Sequence, residues 1–332
     1  MSTNSNKPVP VITIQLTKLG AYLLHRAKMR FTVASDRKKN NEIKVEKQIF
    51  EKTISLNLKD LDQRLLYEDH IREPENIFTY TALARAGLCK TFIDIGANYG
   101  HDAILLEKEY DKIVLIEPNP SAATILMQMF KDKKNVFVIN AAVVGENSPK
   151  ELLLKVPKDS SALASIVDSP LMRDDVDIFV CKGMTLKECV ETNNLSSSYI
   201  KIDVEGGEYE ILSESADEIM ESRAIVGFEA LSREFAIKCV ALLKGYTYYY
   251  AKFDFLDDSG SLIKSPFKLL LSLFGINSSI SIYKVHGNDF TLAPDNFSQV
   301  YCVPNEKELQ FEKAIKTLVT KSPKIDCSKF EY

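Results

Sequence analysis

The sequence predicts an α/β protein with a mostly parallel central sheet and helices on both faces, and three observations carry that reading. From residue 91 onward, strand-like and helix-like stretches alternate in a βαβαβ order. The first strand runs into "FIDIGANYG", residues 92–100, an apolar run that stops at an acid and breaks into small residues. Later strands also end in polar groups, at Glu117, at Asn140, and at Asp203 with Glu205, so such groups gather at one edge of the sheet.

The chain as a whole sets the bounds. Its 332 residues allow one large α/β domain or two smaller ones with a sizeable core. Hydrophobic content of 45% and charged content of 27% are ordinary for a soluble globular protein. A net charge of −4 supplies no global basic field for nucleic acid. Six cysteines (Cys89, Cys181, Cys189, Cys239, Cys302, Cys327) form no CxxC pair and read as reduced, mostly buried thiols. Four histidines (His25, His70, His101, His286) show no metal-ligand spacing, so no metal is expected. No stretch reaches the roughly 20 apolar residues that span a bilayer. Lys18 interrupts the only N-terminal apolar region and no A-x-A site follows, so the cytoplasm is the predicted compartment.

Taken in order, residues 16–31 place Leu16, Leu19, Leu23, Leu24 and Ala27 at helical spacing, and residues 1–35 hold five Lys or Arg and no acid. This segment is expected to be a basic leader that packs on its own domain, with peripheral membrane contact as the lesser alternative. Residues 37–62 alternate like a hairpin, and 64–87 read as helical around Pro74, ending at Gly87. Strands are predicted at 91–95, 112–117, 136–142, 199–204 and 224–230, and helices at 100–109, 120–131, 185–192, 207–221 and 232–244. Two further strand-like runs, 151–156 and 177–184, bracket a polar loop. The run "YTYYYAKF" reads as a strand with one buried aromatic face, and "QVYCVP" as a final strand.

The chemistry concentrates in four places. In Asp94-Ile95-Gly96-Ala97-Asn98-Tyr99-Gly100 the glycines let the backbone approach a ligand, and Asn98 stands where a dinucleotide fingerprint has its middle glycine. A ligand with an amino-acid head suits this loop better than a pyrophosphate, with Asp94 facing an ammonium and backbone amides a carboxylate. Glu117, 23 residues after Asp94, is placed to accept from both ribose hydroxyls. Asn140 and Ala141 end the next strand, where a small residue leaves room for a flat adenine and an amide can bond its edge. Asp203 and Glu205 end a core strand that has no structural need of carboxylates, while Glu208 in the following helical turn is read as a cap.

DIGANYG, IEPNP, NAAV and IKIDVEGGE, in this order and spacing, resemble the FkbM-type S-adenosylmethionine-dependent methyltransferases, over roughly residues 91–231. The resemblance implies a Rossmann-like class I methyltransferase fold, S-adenosyl-L-methionine as cofactor, and O-methylation of a sugar, glycan or polyketide-like small molecule. Carried across, Asp94, Gly96, Ala97, Asn98 and Gly100 hold the methionine end, and Glu117, with Pro118 and Asn119 beside it, holds the ribose. Asn140 and Ala141 flank the adenine. Asp203 and Glu205 face the transfer site as candidate general bases, with His101 and His70 as rivals. Gly207 departs from the alanine common in the family. The implied organisation is a leader (1–35), an N-terminal extension near the site (36–90), and a methyltransferase domain (91–332). Insertions at 157–177 and 255–290 shape the acceptor pocket. An NAD- or nucleotide-sugar-using enzyme is the alternative class, and a non-catalytic S-adenosylmethionine-binding protein a third.

Overall fold

The computed structural model of the chain describes residues 10–17, 44–68, 73–166, 175–190, 195, 197–230, 232–255, 278–285, 299–321 and 324–326. In chain order the elements begin with β1 (Pro10–Thr17), β2 (Lys44–Ile49), β3 (Lys52–Asn57), α1 (Leu61–Tyr67) and α2 (Pro74–Arg85). The alternating part follows as β4 (Thr91–Ile95), α3 (His101–Leu106), β5 (Lys112–Ile116), α4 (Pro120–Met129) and β6 (Val136–Ile139). Next come β7 (Ala142–Val143), β8 (Glu151–Pro157), β9 (Val176–Met184), α5 (Leu186–Cys189), β10 (Ser198–Ile202) and α6 (Glu208–Ser222). The rest is β11 (Ile225–Glu229), α7 (Arg233–Val240), β12 (Tyr246–Phe255), β13 (Ser278–Val285), β14 (Gln299–Pro304), α8 (Glu308–Lys321) and β15 (Lys324–Asp326).

Ten strands form one sheet in the order β15-β1-β13-β12-β14-β11-β10-β4-β5-β6. From β6 to β11 neighbouring strands run parallel, and β14 returns antiparallel between β11 and β12. Helices on both faces bury both sides of these strands, so all five residues of β10 are buried. Period-2 alternation then divides the core. Phe92, Leu115 and Tyr199 pack on one side, and Ile93, Ile95, Ile116, Ile200 and Ile202 on the other.

Four sequence expectations change. Leu16 and Thr17, expected in a helix, belong to β1, which pairs with β13 inside the sheet; residues 18–31 lie outside the described residues. The strand expected over 136–142 breaks after Ile139, and Ala142–Val143 instead pairs with β9 in a small three-stranded sheet with β8. The tyrosine run is buried on both faces, with Tyr249 against Phe311 of α8 in one core and Tyr246, Tyr248 and Tyr250 in the other, where the Tyr248 hydroxyl donates to the Val240 carbonyl of α7. Part of the 255–290 insertion is strand β13, and helix α8, which the sequence reading lacks, packs against α2.

The N-terminal extension packs next to the carboxyl edge of the sheet. β2 and β3 form the expected hairpin, closed by Phe50 and Glu51, both in the left-handed region at φ 48° and 63°, as a two-residue type I′ turn requires. Asp60 caps α1 by accepting from the amides of Asp62 and Gln63.

Candidate active site

The site lies at the carboxyl end of β4, where β5 pairs on one side and β10 on the other. In an open parallel sheet a crevice forms at such a switch point. The turn after β4 is held mainly by the protein itself. The amides of Gly96 and Ala97 donate to the Ile116 carbonyl at 2.9 and 3.2 Å, the Asn98 amide donates to Glu117 Oε2 at 2.7 Å, and the Gly100 amide donates to the Ala97 carbonyl at 2.8 Å. These four amides therefore do not face a ligand carboxylate, contrary to the sequence expectation.

The glycines likewise answer to internal packing. A Cβ on Gly96, which sits at φ +90°, would lie 1.8 Å from the Asp203 carbonyl oxygen. At Gly100, φ +72°, it would meet Leu126 Cδ2 of α4 at 2.6 Å. Asn98 also takes a left-handed conformation, at φ 47°. Its side-chain oxygen accepts from the Ser161 hydroxyl at 3.3 Å, while its Nδ2 is buried with no hydrogen-bond partner.

Asp94 is 1% exposed and is not among the residues that line the cleft. It is instead ion-paired with the buried Lys201 at 3.4 Å. Strand register sets this contact, since Lys201 and Asp94 are paired residues of β10 and β4. Burial pushes the Asp94 carboxyl up to about 7 against the pull of Lys201.

Glu117 ends β5 with both carboxylate oxygens on backbone amides, Oε2 on Asn98 and Oε1 on Asn119, each at 2.7 Å. Burial raises its carboxyl to about 7, the two amide bonds notwithstanding. Pro118 and the wholly buried Ala141 line the same cleft. Asn119 caps α4 by accepting from the Ser121 amide at 3.0 Å. Asn140 donates its side-chain amide to the carbonyls of Glu117 (2.7 Å) and Pro118 (3.2 Å) and so braces the Glu117 turn; it does not line the cleft. Ala97 does not line it either.

The cleft encloses about 330 Å³, within the usual range for a small-molecule site. Gly96, Asn98, Glu117, Pro118, Ala141 and Asp203 form one wall. Leu152 and Leu154 of β8, the turn from Ser161 to Ile166, and Glu210 and Glu214 of α6 form the other. That turn belongs to the 157–177 loop and is held by the N-terminal extension. Asp60 accepts from the Ser161 amide at 3.0 Å, and Asp62 accepts from the Ala162 amide at 2.9 Å and the Ser160 hydroxyl at 3.1 Å. Gln63 donates to the Tyr99 hydroxyl at 2.8 Å, tying α1 to the cofactor-side turn as well.

Beyond β10, Asp203 and Glu205 meet Glu229 from the end of β11, one oxygen of each lying within 4.8 Å of the others. Burial, then Asp203 and Glu205, pushes the Glu229 carboxyl up to about 10, so it is a neutral acid at pH 7. Glu205 stands in the left-handed region at φ 57° and does not line the cleft itself. Glu208 caps this loop, its carboxylate accepting from the amides of Val204 and Gly206. His101 is buried at the start of α3, and His70 lies outside the described residues. Sequence reasoning missed Lys201 and Glu229. Their signals were a lysine inside an otherwise apolar strand and one more acid at a strand end.

Residues 94–248 match the family model of the methyltransferase FkbM domain. These residues form an FkbM-type methyltransferase domain. The match takes in every side chain of the acid cluster and the Glu117 turn. No curated protein matches the chain. Among solved structures, the methyltransferase FkbM from Methylobacillus flagellatus KT is 14% identical over 65% of this chain and 44% of that one, with a TM-score of 0.35. Precorrin-6y C5,15-methyltransferase from Geobacter metallireducens is 13% identical, covering 67% of this chain and 87% of that one, at a TM-score of 0.31. TYW2 from M. jannaschii, in complex with AdoMet, is 11% identical over 74% and 87%, with a TM-score of 0.34.

An FkbM-type methyltransferase domain takes its methyl group from S-adenosylmethionine. The residues of the cleft fit that group. Each Glu117 oxygen keeps a lone pair for a hydroxyl, the buried Nδ2 of Asn98 offers an unused donor, and Ala141 leaves a flat wall.

Proposed function

We propose that the chain is an S-adenosylmethionine-dependent O-methyltransferase acting on a hydroxyl of a sugar, glycan or small-molecule acceptor. One observation carries the reading: Asp203, a carboxylate at the end of β10, opens into the same cleft as Glu117 and Asn98. A hydroxyl is a poor nucleophile until its proton leaves, and a carboxylate beside the cofactor wall can take that proton.

When bound, S-adenosylmethionine supplies a methyl group already activated on a sulfonium. Glu117 and Asn98 hold the cofactor end, and Pro118 and Ala141 give it an apolar wall. Asp203 or Glu205 accepts the proton from the acceptor oxygen. Glu229, neutral at pH 7, can donate a hydrogen bond to a neighbouring carboxylate or to the acceptor. The turn from Ser161 to Ile166 closes the far side and limits water.

The acceptor class follows from charge. Carboxylates of Asp203, Glu205, Glu210 and Glu214 ring this face, and the net charge is −4, so a phosphate backbone is repelled. The cytoplasm suits the five described cysteines, all free and buried. No helix among the described residues is long and apolar enough to cross a membrane. Contact of residues 1–35 with a membrane surface is the lesser alternative.

The test is transfer of labelled methyl to host glycan and small-molecule fractions, with mass spectrometry of whatever gains mass. Asp203→Asn and Glu205→Gln proteins that still bind S-adenosylhomocysteine are run beside the wild type. At least one should lose transfer by about 100-fold or more. Near-normal rates in both would refute the base assignment, and tight NADH binding without cofactor binding would refute the methyltransferase reading.

A further inference from the structure

We propose that Lys201 is a positioning residue that fixes Asp203 at the cleft and keeps it ionised, and that Asp102 and Asp94 compete for the same ammonium. The inference rests on the methyltransferase reading for its catalytic meaning, but the contact stands on geometry alone. The Lys201 ammonium lies 3.0 Å from Asp102 Oδ2, 3.3 Å from Asp203 Oδ2 and 3.4 Å from Asp94 Oδ1. Its side chain is only 8% exposed. Positions 201 and 203 project to the same side of the chain by strand alternation, and the β4 register delivers Asp94 to the same spot.

A lysine in a fully buried strand is costly unless paired. Here one ammonium faces three carboxylates, so it is shared among them. Burial pulls its pKa down, but Asp102, Asp94, Asp203 and Glu73 more than offset that and hold it well above the usual lysine range. Further acids lie around this cluster: Glu117 from β5, Glu208 from α6, and Glu205 and Glu229 beside Asp203. Lys201, 3.3 Å from Asp203 Oδ2, thus opposes protonation of Asp203, and how firmly it does so depends on how much of it Asp102 and Asp94 take. Asp94 sits beneath the cofactor turn and Asp203 at the acceptor side, so the same ammonium joins the two halves of the site.

The test uses the full chain with 13C-labelled aspartate carboxyls, the Asp203 resonance being assigned by its loss in Asp203→Asn. In Lys201→Met the Asp203 titration midpoint should rise by about one unit or more, and in Asp102→Asn it should fall, because Asp203 then holds a larger share of the ammonium. The two shifts report the charge contact itself, and only their appearance in the kinetics separates a positioning lysine from a purely structural one. The acid limb of the kcat–pH profile should follow the same two shifts. In Lys201→Met kcat at neutral pH should fall about 100-fold, while acceptor KM and S-adenosylhomocysteine affinity stay within about threefold. An Asp203 midpoint unmoved in either foldable variant overturns the proposal, and so does a kcat limb that ignores a moved midpoint. If Lys201→Met fails to fold, Asp102→Asn decides alone. Shifted midpoints in a protein with no methyl transfer would support the coupling and sink the methyltransferase reading instead.

Discussion

The backbone amide of Asn98 donates to the carboxylate of Glu117 at 2.7 Å, so the turn after β4 and the end of β5 are one hydrogen-bonded unit at the mouth of the cleft. A residue placed by its spacing to read a ribose is thus also a structural acceptor, with Asn119 on its other oxygen. Glu117→Ala should therefore cost both cofactor affinity and stability, each by roughly 1–3 kcal/mol, as two amides and two ribose hydroxyls lose their acceptor. Calorimetry with S-adenosylhomocysteine reads the first and urea denaturation the second. Unchanged affinity would remove the ribose role.

The same carboxyl makes stability depend on pH. Burial raises it from the ordinary 4.5 to about 7 in the folded chain. Between those values the unfolded chain releases the proton and the folded chain keeps it. The stability this group contributes is fully present below pH 4.5 and is lost as pH rises through about 7, an effect on the order of 3 kcal/mol. The stability of wild type relative to Glu117→Gln should fall over that window. A flat difference would show that the carboxyl is not raised.

Gly96 bears on folding before it bears on binding. Because a Cβ there would lie 1.8 Å from the Asp203 carbonyl oxygen, Gly96→Ala forces β4 and β10 apart at their ends. A loss on the order of 3 kcal/mol or more is expected. Urea denaturation with stability within about 0.5 kcal/mol of wild type would contradict this packing.

Asp62 holds the far wall of the cleft through Ala162 and Ser160. Asp62→Ala should leave the sheet intact, speed proteolytic cleavage within 158–166, and weaken S-adenosylhomocysteine binding. An unchanged digestion pattern would mean that the turn is held by other contacts.

β1 pairs with β13 from Pro10 to Leu16, so removing residues 1–17 uncovers a strand edge. The truncated chain should melt at lower temperature and aggregate more readily; an unchanged melting temperature would contradict a structural β1. Membrane contact is better probed by reversing the charges of Arg26, Lys28 and Arg30 and measuring sedimentation with anionic vesicles.

How much of this was readable in the chain depends on how local each feature is. The alternation of apolar strands with helices, and the acids at strand ends, follow from short-range patterning, so the parallel core and the cleft-lining residues Gly96, Asn98, Glu117, Pro118, Ala141 and Asp203 could be named from sequence. The resemblance of four motifs to the FkbM family pointed to the domain that the match over 94–248 identifies. What residues do once packed was decided elsewhere. Asp94 looks like a ligand group until β10 sets Lys201 against it, Asn140 looks like an adenine contact until its amide finds the Glu117 carbonyl, and the glycines look ligand-shaped until β10 passes over Gly96. Each of these partners lies between 20 and 110 residues away along the chain, and only register and crossover bring it within bonding distance. Sequence determined which chemical groups reach the carboxyl edge of the sheet. Tertiary structure decided which of them are spent on one another and which residues, like Asp203 and Asn98, line the cleft.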